Sequence, residues 1–387
     1  MRGRTANAIA ITVGILLTLL ALLPLWPSAQ AAVSTLPVLA HLIAFPALLA
    51  LIGLLTLALV LLPRFARSQT ESDSNYPRRS YKGANIAIGV LLVPSTLVLL
   101  TLPDLVVPTP TPPVMATAPA TDRVDSTPDA GSRTGMNSEG TPSATGKPRI
   151  EQLRVLSWNA ENQVGDEQMQ QVVGLQPDVI VMPEAQIDNS LWGTKIGQMT
   201  DFGSALVANY RVFHLSNGYM PDTIVMIHRS LGNFEPAQHP QTTFGAVAVR
   251  PTRDNDLRTP AGERLPTIIG VHTAPPLPGL MSEWVSDLRQ LVATDDVLGA
   301  PGQSLILAGD FNATLRHGEL ARLQHLRDAK HSVLGPRPSG TWPSWMSPTV
   351  SSPIDHIFTN TAQPVEFQTV RIGSSDHRAI FATLKLR

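Results

Sequence analysis

Eight polar side chains stand at the ends of apolar runs, where packing alone has little use for them. They are Asn159 in VLSWNAEN, Glu184 in VIVMPEAQ, His272 in IIGVHTAPP, Asp310 and Asn312 in LILAGDFNAT, Asp355 in SPIDHIF, and Asp376 and His377 in GSSDHRAI. Carboxylates and amides offer oxygen donors. With no cysteine in the chain, this set favours a hard divalent cation, Mg²⁺ first with Mn²⁺ as the alternative. The histidines add groups able to hold or pass a proton near neutral pH. Singly, an Asp or Asn after a strand is an ordinary turn former or cap, and a lone histidine is an ordinary surface or core residue. The joint occurrence at successive strand ends points to one site gathered at a sheet edge. His214, His228, His239, His317, His325 and His331 have no such setting and are read as ordinary residues.

The elements that must position these groups read as an α/β domain running from Arg149 to Arg387. Runs such as DVIVM, TIVMI, GAVAV, PTIIGV, SLILAG, IDHIF and RAIFATL have the β-branched, apolar character of buried strands. Helix signals are fewer. GDEQMQQVVGL opens on acids suited to a helix N-terminus, and MSEWVSDLRQLV places Trp284, Leu288 and Leu291 on one face. Many strands with few helices predict sheets packed on one another with helices outside. This segment holds 19 Lys plus Arg against 23 Asp plus Glu. That acidity and the lack of a basic run argue against tight tracking of a phosphate backbone.

The first hundred residues are of another kind. Between Thr5 and Pro63 there is no Lys, Arg, Asp or Glu. Three spans are predicted in a membrane region covering 1–103, at 8–26, 36–63 and 83–103, each long enough at helical rise to cross about 30 Å of hydrocarbon. Arg2 and Arg4 precede the first span, the connection after it has no cation, and the next carries Arg64, Arg67, Arg78, Arg79 and Lys82. Cations stay cytoplasmic, so the N-terminus is expected inside and everything after residue 104 outside. SAQAA, with Ala29 and Ala31, also fits a signal-peptide cleavage site, which would remove the first span and leave that sidedness unchanged. Residues 104–148, rich in Pro, Thr, Ser and Gly, read as a disordered tether. The expected setting is a multi-pass cell-membrane protein that meets lipid through its spans, with an extracytoplasmic domain at 149–387 and no obligate protein partner evident.

In order, N, E, H-T, G-D-F-N, I-D-H and S-D-H, the motifs resemble the endonuclease/exonuclease/phosphatase superfamily. That superfamily includes deoxyribonuclease I, exonuclease III-type AP endonucleases, bacterial sphingomyelinases and inositol polyphosphate 5-phosphatases. The resemblance covers the whole soluble domain; GDFN followed by SDH is its specific part, and WNAEN alone is weak. It implies a four-layer α/β sandwich of two packed mixed sheets and metal-dependent cleavage of phosphoester bonds. By the same resemblance Glu184 would be the principal metal ligand, helped by Asn159, with Asp376 a metal or outer acid. His377 would activate or position the attacking water and Asp355 would orient its ring. Asp310 and Asn312 would hold the nucleophile and a phosphate oxygen, and His272 would serve as acid for the leaving group. The active-site tyrosine of AP endonucleases has no counterpart, since Tyr210 and Tyr219, the only tyrosines of the domain, lack its context.

Trp342 and Trp345 in SGTWPSWMSP are candidate substrate contacts, able to stack on a base, cover a sugar, meet lipid headgroups or pack on the domain itself. Nucleic acid is the phosphoester substrate that the resemblance favours, because the HTAP motif at His272 is similar to that of the deoxyribonuclease I branch. The alternative is a phospholipase C-like or phosphomonoesterase action on lipid headgroups or phosphosugars. A binding module without turnover is disfavoured by the intact residue set.

Overall fold

Strands whose side chains are buried on both faces need a layer on each side, and the chain supplies both. The computed structural model describes residues 2–70, 82–101, 147–185, 208–215 and 222–387. Beyond residue 147 it forms two six-stranded sheets. The site is carried by β1 (Gln152–Ser157), β2 (Val179–Ala185), β7 (Thr267–His272), β8 (Leu305–Asp310), β10 (Asp355–Thr359) and the turn before β12 (Ala379–Lys385). The other strands are β3 (Tyr210–Leu215), β4 (Asp222–His228), β5 (Phe234–Pro236), β6 (Ala246–Pro251), β9 (Arg327–Asp328) and β11 (Gln363–Val370). The first sheet has the order β11-β12-β1-β2-β4-β3 and the second β5-β6-β7-β8-β10-β9. β1–β2 and β7–β8 are parallel pairs, and the remaining pairs are antiparallel.

The period of two along each strand divides the core into layers. Val155, Val179 and Val181 of the first sheet meet Ile268, Ile306 and Ala308 of the second between the sheets. Their neighbours Leu156, Ile180 and Met182 point out and are covered by Met169 and Val172 of the helix Asp166–Gly174. On the far side, Ile269, Val271, Leu305 and Leu307 are covered by Trp284, Leu288 and Leu291 of the helix Met281–Leu298. This is the four-layer α/β sandwich expected, and every strand run named in the sequence is a strand. At Gly270 the sheets approach so closely that a Cβ would stand 2.6 Å from Val225 Cγ2. That proximity next to His272 lets groups from both sheets meet.

The amino-terminal region is helical. Its elements are α1 (Arg2–Leu22), α2 (Pro27–Ser34), α3 (Pro37–Ala44), α4 (Pro46–Thr70) and α5 (Lys82–Thr101). On length and composition, one helix among the described residues, Asn7–Leu25, suffices to cross a membrane. The predicted second span differs from expectation: it is broken at Phe45, with Pro37–Ala44 and Pro46–Leu59 bent by 87°. The cause is Pro46, which has no N–H to continue the helix and disfavours helical geometry at the residue before it. Within the third, Ile88–Leu99 is a shorter apolar helix. α1, α4 and α5 pack together through Leu17, Ala50 and Leu92, and Thr18 Oγ1 lies 2.8 Å from Ser95 Oγ. All but the last two residues of the predicted tether, 104–148, lie outside the described residues.

Candidate active site

Strand register explains why three of the groups converge. His272 pairs with Asp310 across parallel β7–β8, and Asp355 pairs with Asp310 across antiparallel β10–β8. Directly opposed residues share a face, so His272, Asp310 and Asp355 form one row. Gly309 permits the approach: at φ +145°, a Cβ there would sit 2.0 Å from the Val271 carbonyl oxygen.

The first sheet delivers Glu184 and Asn159. Glu184 lies where the β2–β4 register shifts between Met182 and Ala185, an irregularity of the kind that re-aims side chains. Its φ of +54° is a left-handed conformation costing roughly 1–2 kcal/mol for a residue with a Cβ. The Pro183 and Glu184 carbonyls, turned out of the ladder, accept from the Ala160 and Asn162 N–H groups. Asn159 is fully buried. Its amide nitrogen donates to Glu184 Oε1 at 2.9 Å and to Asp310 Oδ2 at 3.0 Å, while its oxygen accepts from the Glu161 N–H. Asn159 thus presents donors to the carboxylates and joins the two sheets.

Asp310 Oδ1 accepts from the Asn312 N–H at 2.8 Å. Asn312, at φ +46°, donates its side-chain amide to the Thr273 carbonyl, and its own carbonyl accepts from the Trp284 indole. The acid and amide ending the LILAG run therefore have separate tasks: Asp310 faces the site, and Asn312 ties its turn to the end of β7. His377 Nδ1 lies 2.9 Å from Asp355 Oδ2, and its Nε2 lies 3.7 Å from Asp310 Oδ2 and 3.8 Å from Asp376 Oδ1. Burial alone would push the His377 ring down, but the Asp355 and Asp310 charges and the Asp355 hydrogen bond hold it up at about 10. It carries a proton at neutral pH.

His272 Nε2 is 3.5 Å from Glu184 Oε1 and 3.9 Å from Asp310 Oδ2. Burial dominates there and pushes the ring down to about 4. A neutral imidazole is a poor proton donor, so its surroundings do not favour the acid role expected from the sequence. Burial also pushes the Glu184 and Asp310 carboxyls up. Asp376 stands at the rim, 41% exposed, with Oδ2 accepting from the Trp342 indole at 2.8 Å. Trp342 is half-buried and Trp345 is 70% exposed. All eight polar candidates are therefore accounted for, with Asn312 anchoring the turn from outside the carboxylate row.

Ligand atoms of Glu184, His272 and Asp310 lie within 4.8 Å of one another, as do those of Asp310, Asp355 and His377. The donor set fits a divalent cation: buried carboxylates converge, and Asp355 Oδ1 is buried with no hydrogen-bond partner. Of these groups, Glu184 and Asp310 provide the oxygen donors preferred by Mg²⁺.

Two supporting residues carry little signal of their own in the sequence. Ser375 donates to the Asn159 carbonyl and accepts from the His377 N–H, linking both ends of the domain. Glu161 accepts from the Asp376 N–H. Both lie inside the motifs WNAEN and GSSDH, and adjacency to the polar candidates was the one available signal. A third, His356, points away from the site because it follows Asp355 on β10. Its Nδ1 bonds Asp328 Oδ2 at 2.8 Å and its Nε2 the Ala313 carbonyl at 2.9 Å. Against the lowering effect of burial, Asp328 raises the His356 pKa, so the ring donates from both nitrogens. His356→Ala would strand the buried Asp328 carboxylate and is expected to destabilise the domain by about 3–5 kcal/mol in urea unfolding. Adding Asp328→Asn should recover part of that loss.

Two packed sheets bring carboxylates, an amide and two histidines together at their ends, a site able to hold a divalent cation. The chain belongs to the endonuclease/exonuclease/phosphatase family, whose model matches residues 156–377; its members are phosphoester hydrolases that generally use a divalent metal. Similar solved structures include three of low identity. An endonuclease/exonuclease/phosphatase from Beutenbergia cavernae is 19% identical, with a TM-score of 0.47, covering 61% of this chain and 72% of the other. D. rerio TDP2 humanized by 14 mutations is 18% identical, with a TM-score of 0.45, covering 60% and 99%. The human nocturnin catalytic domain with bound sulfate is 14% identical, with a TM-score of 0.44, covering 62% and 95%. No curated protein shows a significant match to the sequence.

Proposed function

We propose that the chain is a metal-dependent phosphodiesterase of nuclease type, anchored in a membrane by its apolar amino-terminal helices with its catalytic domain outside the cytoplasm. The observation that carries the chemistry is the meeting of charged His377 with Asp310 beside Glu184. A divalent cation held by Glu184 would neutralise charge on the scissile phosphate and on the departing oxygen. Asn159 orients both carboxylates through its two N–H bonds. A water between Asp310 and His377 is the nucleophile. Its oxygen forms the new bond to phosphorus, its proton passes to Asp310, and the ester P–O bond to the alcohol breaks, the alkoxide then taking a proton from solvent. His377, fixed by Asp355, keeps its proton and donates to a phosphoryl oxygen as charge builds there. Trp345 is free to contact the substrate, whereas Trp342 is committed to Asp376.

The sidedness rests on the distribution of Arg and Lys around the apolar segments. A reporter fused after Lys147 that works only in the cytoplasm would disprove it. For the chemistry, the full chain should nick supercoiled DNA with Mg²⁺ present and lose that activity in EDTA, with recovery when Mg²⁺ is restored. EDTA-resistant nicking would exclude the metal-dependent reading. A folded protein that leaves DNA intact but cleaves a small phosphodiester such as bis(p-nitrophenyl) phosphate would keep the reaction and remove nucleic acid as substrate.

A further inference from the structure

The catalytic domain touches its own membrane region through one built surface. After β8 the chain turns through Arg316, His317 and Gly318, all buried. Each gives a polar group to the segment that runs from the last turn of α1 through α2 and α3. Arg316 Nη2 donates to the Leu20 carbonyl at 2.8 Å. Leu20 is four residues before Pro24, which has no N–H to close that helical bond, so the guanidinium fills a position the sequence leaves open. A cation near the C-terminus of α1 also suits the helix dipole. The Gln30 amide donates back to the Arg316 carbonyl. His317 Nδ1 accepts from the Thr314 N–H, and its Nε2 donates to the Ala40 carbonyl at 3.1 Å. The Gly318 N–H donates to Ser34 Oγ at 3.0 Å.

Gly318 is required there, because a Cβ would lie 2.0 Å from Ala31 Cα. Ala40 is fully buried within the apolar cluster under the second sheet. At the far edge, the Phe45 ring packs on Trp342 with centroids 6.0 Å apart, and Trp342 bonds Asp376. The contact thus reaches the rim of the active site.

We infer that residues 20–45 are a docking platform for the catalytic domain, which works seated on its membrane region rather than at the end of a free tether. The inference rests on the membrane-spanning reading above, whose sidedness comes from the cation pattern. That pattern puts the connection between the first two spans on the same side as the catalytic domain, as docking demands.

The test uses the full chain in nanodiscs, where both membrane faces are open, with a site-specific protease sequence inserted within residues 104–148. After complete cutting, the catalytic fragment is expected to co-elute with the disc. Gly318→Val should release it. So should Ser34→Leu, which lies outside the catalytic domain and cannot act by unfolding it. Release of the cut wild-type fragment would overturn the inference, as would retention of the fragment in both variants, which would mean nonspecific adherence. Phosphodiester hydrolysis by the uncut chain is measured alongside. Its absence with the fragment retained would remove the proposed function and leave the dock, and its presence with the fragment released would do the reverse.

Discussion

His377→Ala is expected to lower turnover by about 10²–10⁴-fold, the range for loss of a positioned proton-transfer or charge-stabilising group, with little change in KM. Two features set the size of the effect. The ring is the one cationic side chain among Asp310, Asp355 and Asp376, and its orientation is fixed by Asp355 through Nδ1. Alanine also leaves Asp355 buried without its partner, so stability must be measured beside activity. Asp355→Asn separates the two effects. It keeps the shape and removes the charge that holds the ring protonated, so it should lower turnover by a smaller factor while leaving the protein folded. Wild-type turnover in a folded His377→Ala protein would exclude the assigned role. Steady-state kinetics with urea unfolding of both variants decide it.

The sandwich was legible because its inner strands are covered on both faces. VIVM of DVIVM and LILAG of SLILAG have no polar residue, the pattern of strands covered on both faces. Strands with an open face gave less signal. β11 (Gln363–Val370) is an edge strand with alternating exposed positions, and its sequence QPVEFQTV carries Pro and Glu. The polar set was legible for a different reason: Asp310 closes one apolar strand and Asp355 opens another, and a residue at such a place faces a site or a turn.

What the sequence could not carry was direction. Nothing in GDFN distinguishes Asp310, turned into the site, from Asn312, bonded to the end of β7, because the difference lies in a left-handed backbone and a partner 39 residues away. Likewise His317 reads as an ordinary loop histidine. Its task depends on Ala40, 277 residues earlier in the chain, and on a fold that brings the two together.

Glu184→Gln gives a sharper test because its effects on stability and activity should have opposite signs. Without a cation, Glu184 adds a half-buried negative charge to a group already holding Asp310 and Asp355. Its one direct hydrogen bond, from the Asn159 amide, can still be accepted by the glutamine oxygen. Removing the charge while keeping the shape should therefore stabilise the metal-free protein by roughly 1 kcal/mol, as substitutions at strained functional sites often do. With Mg²⁺ present the order should change. Wild-type protein gains stability in proportion to the logarithm of ion concentration over its dissociation constant, and the variant loses most of that gain along with about 10²-fold or more of its turnover. Thermal unfolding with and without Mg²⁺ reads both signs. A variant less stable than wild type without metal would show that Glu184 is a structural acid paired by Asn159. A variant with an undiminished Mg²⁺ shift would place the ion elsewhere. The crossing of the two curves is what a carboxylate held in place for a cation requires, since the fold bears its buried charge and its left-handed backbone at a cost that only the bound ion offsets.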